Sequence, residues 1–181
     1  MIGLAGHVAS QTLQENEMAL YIFDKDGTLV GGANGRPANK PNEQQPLPGV
    51  VAKIAALRAA GHKIAIASNQ GGVAWGFISE AQARELVRDA AEKIGGVDFW
   101  RCCCYDERAA AKNPGAPFAR KSYRRKPAPG MLREIMRAAG ASAEDTIMVG
   151  DQDSDRQAAE AAGVRFVWAA DFFGGDDADQ I

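Results

Sequence analysis

Apolar residues in this chain fall into short runs separated by amphipathic stretches. Ala19-Leu20-Tyr21-Ile22-Phe23 is continuous and brief, as a strand buried on both faces would be. Lys63 to Ala67, Val97 to Cys104, Asp145 to Val149 and Val164 to Trp168 repeat the pattern and predict four more strands. Between them apolar positions return at helical spacing. Val50, Val51, Ile54 and Leu57 make one stripe, opened by Pro48-Gly49 and ended by Gly61. Ser79-Glu80-Ala81-Gln82 is a capping-box pattern, and the helix it starts reaches Lys93 with Leu86, Val87 and Ala90 turned inward. Pro127-Ala128-Pro129-Gly130 opens a third helix, with Met131, Leu132, Ile135 and Ala138 apolar and Gly140 as its stop. A fourth runs from Ser154 to Ala162, before Gly163.

Strand and helix therefore alternate, which predicts an α/β fold with a central parallel sheet and helices on both faces. Residues 31 to 48, rich in Gly, Asn and Pro, read as a loop without periodicity, and Tyr105 to Tyr123 reads as irregular. A length of 181 residues suits one domain. The expected organisation is a domain over 18–170, a disordered tail over 1–17 and a polar, acidic tail over 171–181.

Net charge is −2, so no global basic field draws nucleic acid. No apolar run approaches the roughly 20 residues needed to span a bilayer. The first 17 residues carry no Lys or Arg and no long apolar core, unlike a secretory signal. Cys102, Cys103 and Cys104 are adjacent and cannot build a disulfide framework. They read as small hydrophobes padding a strand, and the expected setting is a reducing cytoplasm.

The candidate chemistry gathers at strand ends. In sheets of this kind ligands bind beyond the carboxyl ends of the strands. Asp24 and Asp26 follow the first predicted strand, and side chains two apart in an extended chain point the same way. Two carboxylates at one strand tip repel each other, and a hard cation such as Mg²⁺ removes that repulsion. A carboxylate beside Mg²⁺ can also attack phosphorus. Ser68-Asn69-Gln70-Gly71-Gly72 ends the second strand and can offer a hydroxyl and backbone N–H groups to an anion. Asp151 and Asp155 follow the fourth strand. The basic run Arg120, Lys121, Arg124, Arg125, Lys126 by itself suits a solvated loop, but a lysine at a helix entrance can neutralise a phosphate. Each feature alone also fits a solvated turn; three strands ending this way is the stronger signal. His62 reads as a helix-end residue, and Trp75, Phe77 and Tyr123 as packing residues.

Taken in order, these residues resemble the four motifs of the haloacid dehalogenase (HAD) superfamily of phosphatases. Asp24-Lys25-Asp26-Gly27-Thr28 resembles the first, Ser68-Asn69-Gln70 the second, Lys126 the third, and Gly150-Asp151 with Asp155 the fourth. The resemblance covers Met18 to Trp168 and implies a three-layer, Rossmann-like fold. It implies that Asp24 is the nucleophile that becomes phosphorylated and Asp26 the general acid and base. Mg²⁺ would be held by the Asp24 carboxylate, the Asp26 main-chain carbonyl and Asp151, with Asp155 in support. Ser68 and the Asn69 backbone would hold phosphoryl oxygens, and Lys126 would offset their charge.

The stretches Ser68 to Gly76 and Arg125 to Met131 are similar to subfamily IIIA, the branch with little or no cap domain. That branch holds heptose 1,7-bisphosphate, histidinol-phosphate and polynucleotide 3′-phosphatases. The first two usually carry a zinc loop, which this chain lacks: Cys104 matches its first ligand, but Asp106, Ser122 and Arg124 stand where the others would be. Arg125 matches an arginine that helps the heptose enzymes bind substrate phosphate. The expectation is a monomeric, Mg²⁺-dependent phosphomonoesterase for a small sugar phosphate such as heptose 1,7-bisphosphate. The alternatives are a polynucleotide 3′-phosphatase using Arg120 to Arg125, or a histidinol-phosphate phosphatase. A silent interaction module would have no reason to keep Asp24, Asp26, Ser68, Lys126 and Asp151.

Overall fold

The computed structural model describes residues 18–32 and 36–174. The expected tail over 1–17, and residues 175–181 of the expected tail over 171–181, lie outside the described residues. In chain order the elements are β1 (Leu20–Phe23), β2 (Val30–Gly31), β3 (Gln45–Pro46), α1 (Val50–Ala59), β4 (Lys63–Asn69) and α2 (Glu80–Lys93). They continue with β5 (Phe99–Cys103), α3 (Gly130–Ala139), β6 (Thr146–Gly150), α4 (Asp153–Ala162), β7 (Arg165–Trp168) and α5 (Ala169–Gly174).

Five parallel strands form the main sheet in the order β5-β4-β1-β6-β7, the five read from the sequence. The chain builds outward from β1 through β4 to β5, then crosses back to place β6 and β7 on the other side. The strand order therefore reverses at β1, the point where such sheets open a crevice. Phe23 is in register with Ile66 and Val149, so the chain leaves β1, β4 and β6 at nearly the same level. That register sets the residues after each strand side by side.

Side-chain alternation along β1 feeds both faces. Phe23 joins Ile64, Ile66, Ile54, Leu57 and Val87 under α1 and α2. Leu20 and Ile22 join Met148, Met131, Leu132, Ile135 and Ala159 under α3 and α4. The helix boundaries follow their chemistry. Ser79 and Gln82 complete a reciprocal capping box at α2. Gly140 and Gly163 close α3 and α4 in left-handed backbone, which glycine adopts without a Cβ penalty. Cys102, Cys103 and Cys104 are all buried.

Val51 and Ala138, read as part of apolar helix faces, are exposed, and two further parts depart from the sequence reading. The stretch read as loop contains β2 paired antiparallel with β3, and a 3₁₀ turn at Pro41–Glu43. Phe172 and Phe173, assigned to the acidic tail, belong to α5, and their rings lie 5.6 and 6.0 Å from that of Phe23.

Candidate active site

Asp24 is the first residue past β1 and is anchored by its N–H donating to Val149 O at 2.9 Å. Gly27, the residue after Asp26, carries φ +86° and lets the chain reverse, with its N–H donating to Val30 O at 2.9 Å. A Cβ at Gly27 would stand 2.4 Å from Asp151 Oδ2, so the missing side chain is what admits Asp151 to the site. Thr28 Oγ1 donates to Asp151 Oδ1 at 3.2 Å. The carboxylates of Asp24, Asp151 and Asp155 each offer an oxygen within 4.8 Å of the others.

Lys126 is buried among them. Its ammonium donates to Asp24 Oδ1 at 2.6 Å, Asp155 Oδ1 at 2.6 Å and Ala67 O at 2.7 Å. Its backbone is clamped by Asn69: the Asn69 side-chain amide donates to Lys126 O at 2.9 Å, and Lys126 N–H donates to Asn69 Oδ1 at 3.0 Å. Gln152 N–H donates to Asp155 Oδ2 at 3.1 Å, fixing that carboxylate at the start of α4.

Burial pushes the Asp24 pKa up to about 7; Lys126 works against that rise and Asp155 adds to it. Burial and Asp155 likewise raise Asp151. Burial alone would discourage an ammonium at Lys126, but Asp24 and Asp155 hold its pKa above the usual lysine value. One lysine thus faces three crowded carboxylates. That oxygen-only donor set and its uncompensated charge fit a hard divalent cation.

Asp26 sits at the same mouth with both oxygens engaged. Lys25, fully buried, donates to Oδ1 at 2.6 Å, and Gln70 Nε2 donates to Oδ2 at 3.1 Å. Gln70 Nε2 also reaches Ser68 Oγ at 2.8 Å. Lys25 continues to Gln44 Oε1 at 2.6 Å, and Gln44 Nε2 to Asp89 at 2.7 Å, so a polar thread runs from Asp26 to α2.

These residues border a cavity of roughly 580 Å³, whose walls include Asp24, Asp26, Asn69, Arg125, Lys126 and Asp155. Ser68 lies behind the wall, and Asp151 joins through the carboxylate group. The basic run diverges instead of forming a strip. Arg125 turns to Asp106, Arg124 pairs with Glu134 at 2.8 Å, and Arg120 lies over the Tyr105 ring at 4.9 Å. Asp106, one of the positions replacing a zinc ligand, is buried and bound by Arg108, Arg125 and Trp75. Lys25, Gln70, Gln44 and Asp106 are absent from the sequence-derived site. Gln70 had a signal in its adjacency to Ser68 and Asn69; Gln44 and Asp106 had none.

A family model described as HAD-hydrolase-like matches residues 123–172. The chain is 31% identical over 153 residues to a D-glycero-beta-D-manno-heptose-1,7-bisphosphate 7-phosphatase of Neisseria meningitidis, covering 81% of this chain and 74% of that one. A D-glycero-alpha-D-manno-heptose-1,7-bisphosphate 7-phosphatase of Photorhabdus laumondii is 27% identical over 157 residues, covering 84% and 82%. Among solved structures, the D,D-heptose 1,7-bisphosphate phosphatase of Bordetella bronchiseptica complexed with magnesium and phosphate superposes with a TM-score of 0.67 at 30% identity, covering 82% and 79%. A HAD-like phosphatase of Mesorhizobium loti gives a TM-score of 0.71 at 26% identity, covering 81% and 69%.

Proposed function

Since this chain belongs to the HAD-like phosphatases and is a phosphoric monoester hydrolase, we propose that it removes phosphate from a small sugar bisphosphate of the heptose 1,7-bisphosphate type. The carrying observation is Lys126 bridging Asp24 and Asp155 at 2.6 Å beside Asp151. The substrate class is supported by the named activity of a relative 31% identical over 153 residues.

Asp24 attacks phosphorus. Lys126 holds Asp24 Oδ1, which leaves Oδ2 without a hydrogen-bond partner among the described residues and free to form the P–O bond. The bond to the departing sugar oxygen breaks as Asp26 delivers a proton to it. Asp26 then takes a proton from the water that attacks the aspartyl-phosphate, and Asp24 returns as a carboxylate. Both Asp26 oxygens accept hydrogen bonds, from Lys25 and Gln70, which hold the carboxyl group at the cavity wall for both steps. In the first step the protonated Asp26 oxygen donates to the leaving oxygen while its remaining lone pair can still accept from Lys25 or Gln70. Asn69 acts through its clamp on the Lys126 backbone, a role its side chain fits as well as the expected backbone contact to phosphate.

Asp24, Asp151 and Asp155 would hold Mg²⁺, together with the Asp26 carbonyl expected from the resemblance. When bound, Mg²⁺ supplies positive charge against the phosphoryl oxygens and the carboxylates. A nucleic-acid end as substrate would need a continuous basic track, and the divergence of Arg120, Arg124 and Arg125 gives that reading no support. No described helix is long and apolar enough to cross a membrane.

The test is phosphate release with Mg²⁺ from heptose 1,7-bisphosphate, histidinol phosphate and a 3′-phosphorylated oligonucleotide. The bisphosphate should be turned over fastest, and Asp24→Asn should abolish turnover while keeping the native circular dichroism spectrum. Equal turnover by Asp24→Asn, or preference for the oligonucleotide, would overturn the proposal.

A further inference from the structure

We propose that Asp106 is a positioning residue that fixes the Arg125 guanidinium against the cavity wall beside Lys126, ready for a substrate phosphate. This rests on the reading of the cavity as a phosphatase site. Asp106 lies in the turn after β5, 1% exposed, and its two oxygens receive donors from three separate segments. Arg125 Nη2 approaches Oδ2 at 2.9 Å. Trp75, in the turn after β4, donates Nε1–H to Oδ2 at 3.2 Å. Arg108 donates from Nε and its backbone N–H to Oδ1, at 2.9 and 3.1 Å, and from Nη2 to Oδ2 at 2.7 Å.

Arg125 is held twice, because its Nη1 also donates to Tyr105 O at 3.0 Å. Two anchors set the plane of the guanidinium, and side-chain freedom that would oppose binding is removed in advance. Gly71 packs flat over the pair: a Cβ there would come 3.0 Å from Arg125 Nη1 and 3.1 Å from Asp106 Oδ2. Arg108 covers the carboxylate from the solvent side with a largely exposed side chain. Hydrogen bonds from Arg108 lead the influences that hold the Asp106 carboxyl down to about 2, so it stays charged at neutral pH. A carboxylate that saturated has no proton to trade, which separates it from Asp26. Its service is to Arg125, which borders the cavity next to Lys126.

Isothermal titration calorimetry with inorganic phosphate and Mg²⁺ tests this on the full chain. Asp106→Asn keeps the shape and removes the charge, and should weaken phosphate binding about tenfold, as should Arg125→Met. The double variant should bind within about twofold of Arg125→Met, because Asp106 acts through Arg125. Trp75→Phe removes a donor but leaves Arg125 held, so its affinity should stay within about twofold of the wild type. In turnover, Asp106→Asn should raise KM while leaving kcat nearly unchanged. If Asp106→Asn does not fold, Asp106→Glu, which displaces the charge by one methylene, should show the same weakening. Unchanged phosphate affinity in the position-106 variant, penalties that multiply in the double variant, or a wild type that binds no phosphate would each overturn the inference. Phosphate binding as expected with no turnover of any phosphomonoester would instead sink the proposed function alone.

Discussion

Lys126 donates to three acceptors and has no further proton to give. An incoming phosphate must therefore share a proton already committed to Asp24 or Asp155. Replacing the lysine strands buried carboxylates, a loss that commonly costs about 3 kcal/mol. Lys126→Met should show that loss in urea unfolding and should not turn over substrate. Unfolding at the wild-type midpoint would mean that the carboxylates are compensated some other way. Asp106 makes a different statement. Its pKa is lowered to about 2, chiefly by Arg108, from an unfolded value near 3.8. A depressed carboxylate stabilises the fold fully above its unfolded pKa and loses that contribution as pH falls through its folded pKa. The melting-temperature gap between wild type and Asp106→Asn should be constant from about pH 5 upward and close between about pH 4 and 2. A gap that persists at pH 2 would contradict the charge-based account.

The turn after β1 admits Asp151 to the site through one glycine. Gly27→Ala must hold alanine at φ +86° and push aside Asp151, and we expect a loss of about 1–2 kcal/mol in chemical denaturation. Full stability in that variant would mean that Asp151 has room to move. The strands and α1 to α4 were legible because their apolar spacing is strong and locally written. The carboxylates were legible because they follow strands that proved to lie in register. What was hidden depends on distant partners. β2 and β3 have two residues each, too few for a period to declare itself. Phe172 and Phe173 sit in acidic sequence, yet they are partly buried and pack against Phe23 and the core around it. Gln44 is fully buried in a polar stretch because Lys25 needs an acceptor. Asp106 finds its partners at Trp75 and Arg125, 31 and 19 positions away along the chain.

At the scale of the molecule, the crowded carboxylates would make folding and binding of the proposed cation one equilibrium. Mg²⁺ at about a hundred times its dissociation constant should stabilise the protein by about 2.7 kcal/mol, read as a rise in melting temperature. Asp151→Asn should lose most of that rise, and an undiminished response would place the cation elsewhere. The sheet order adds a further consequence. β1 is paired along its whole length on both sides, by β4 and β6. Its amides can be released to deuterium only when the sheet itself comes apart. The cavity wall at Pro37, Ala38 and Asn39 has no such double pairing, since the adjoining sheet is only β2 and β3. Local opening there should cost far less than global unfolding. Amides at Ala38 and Asn39 should therefore exchange while those of Ile22 and Phe23 stay protected.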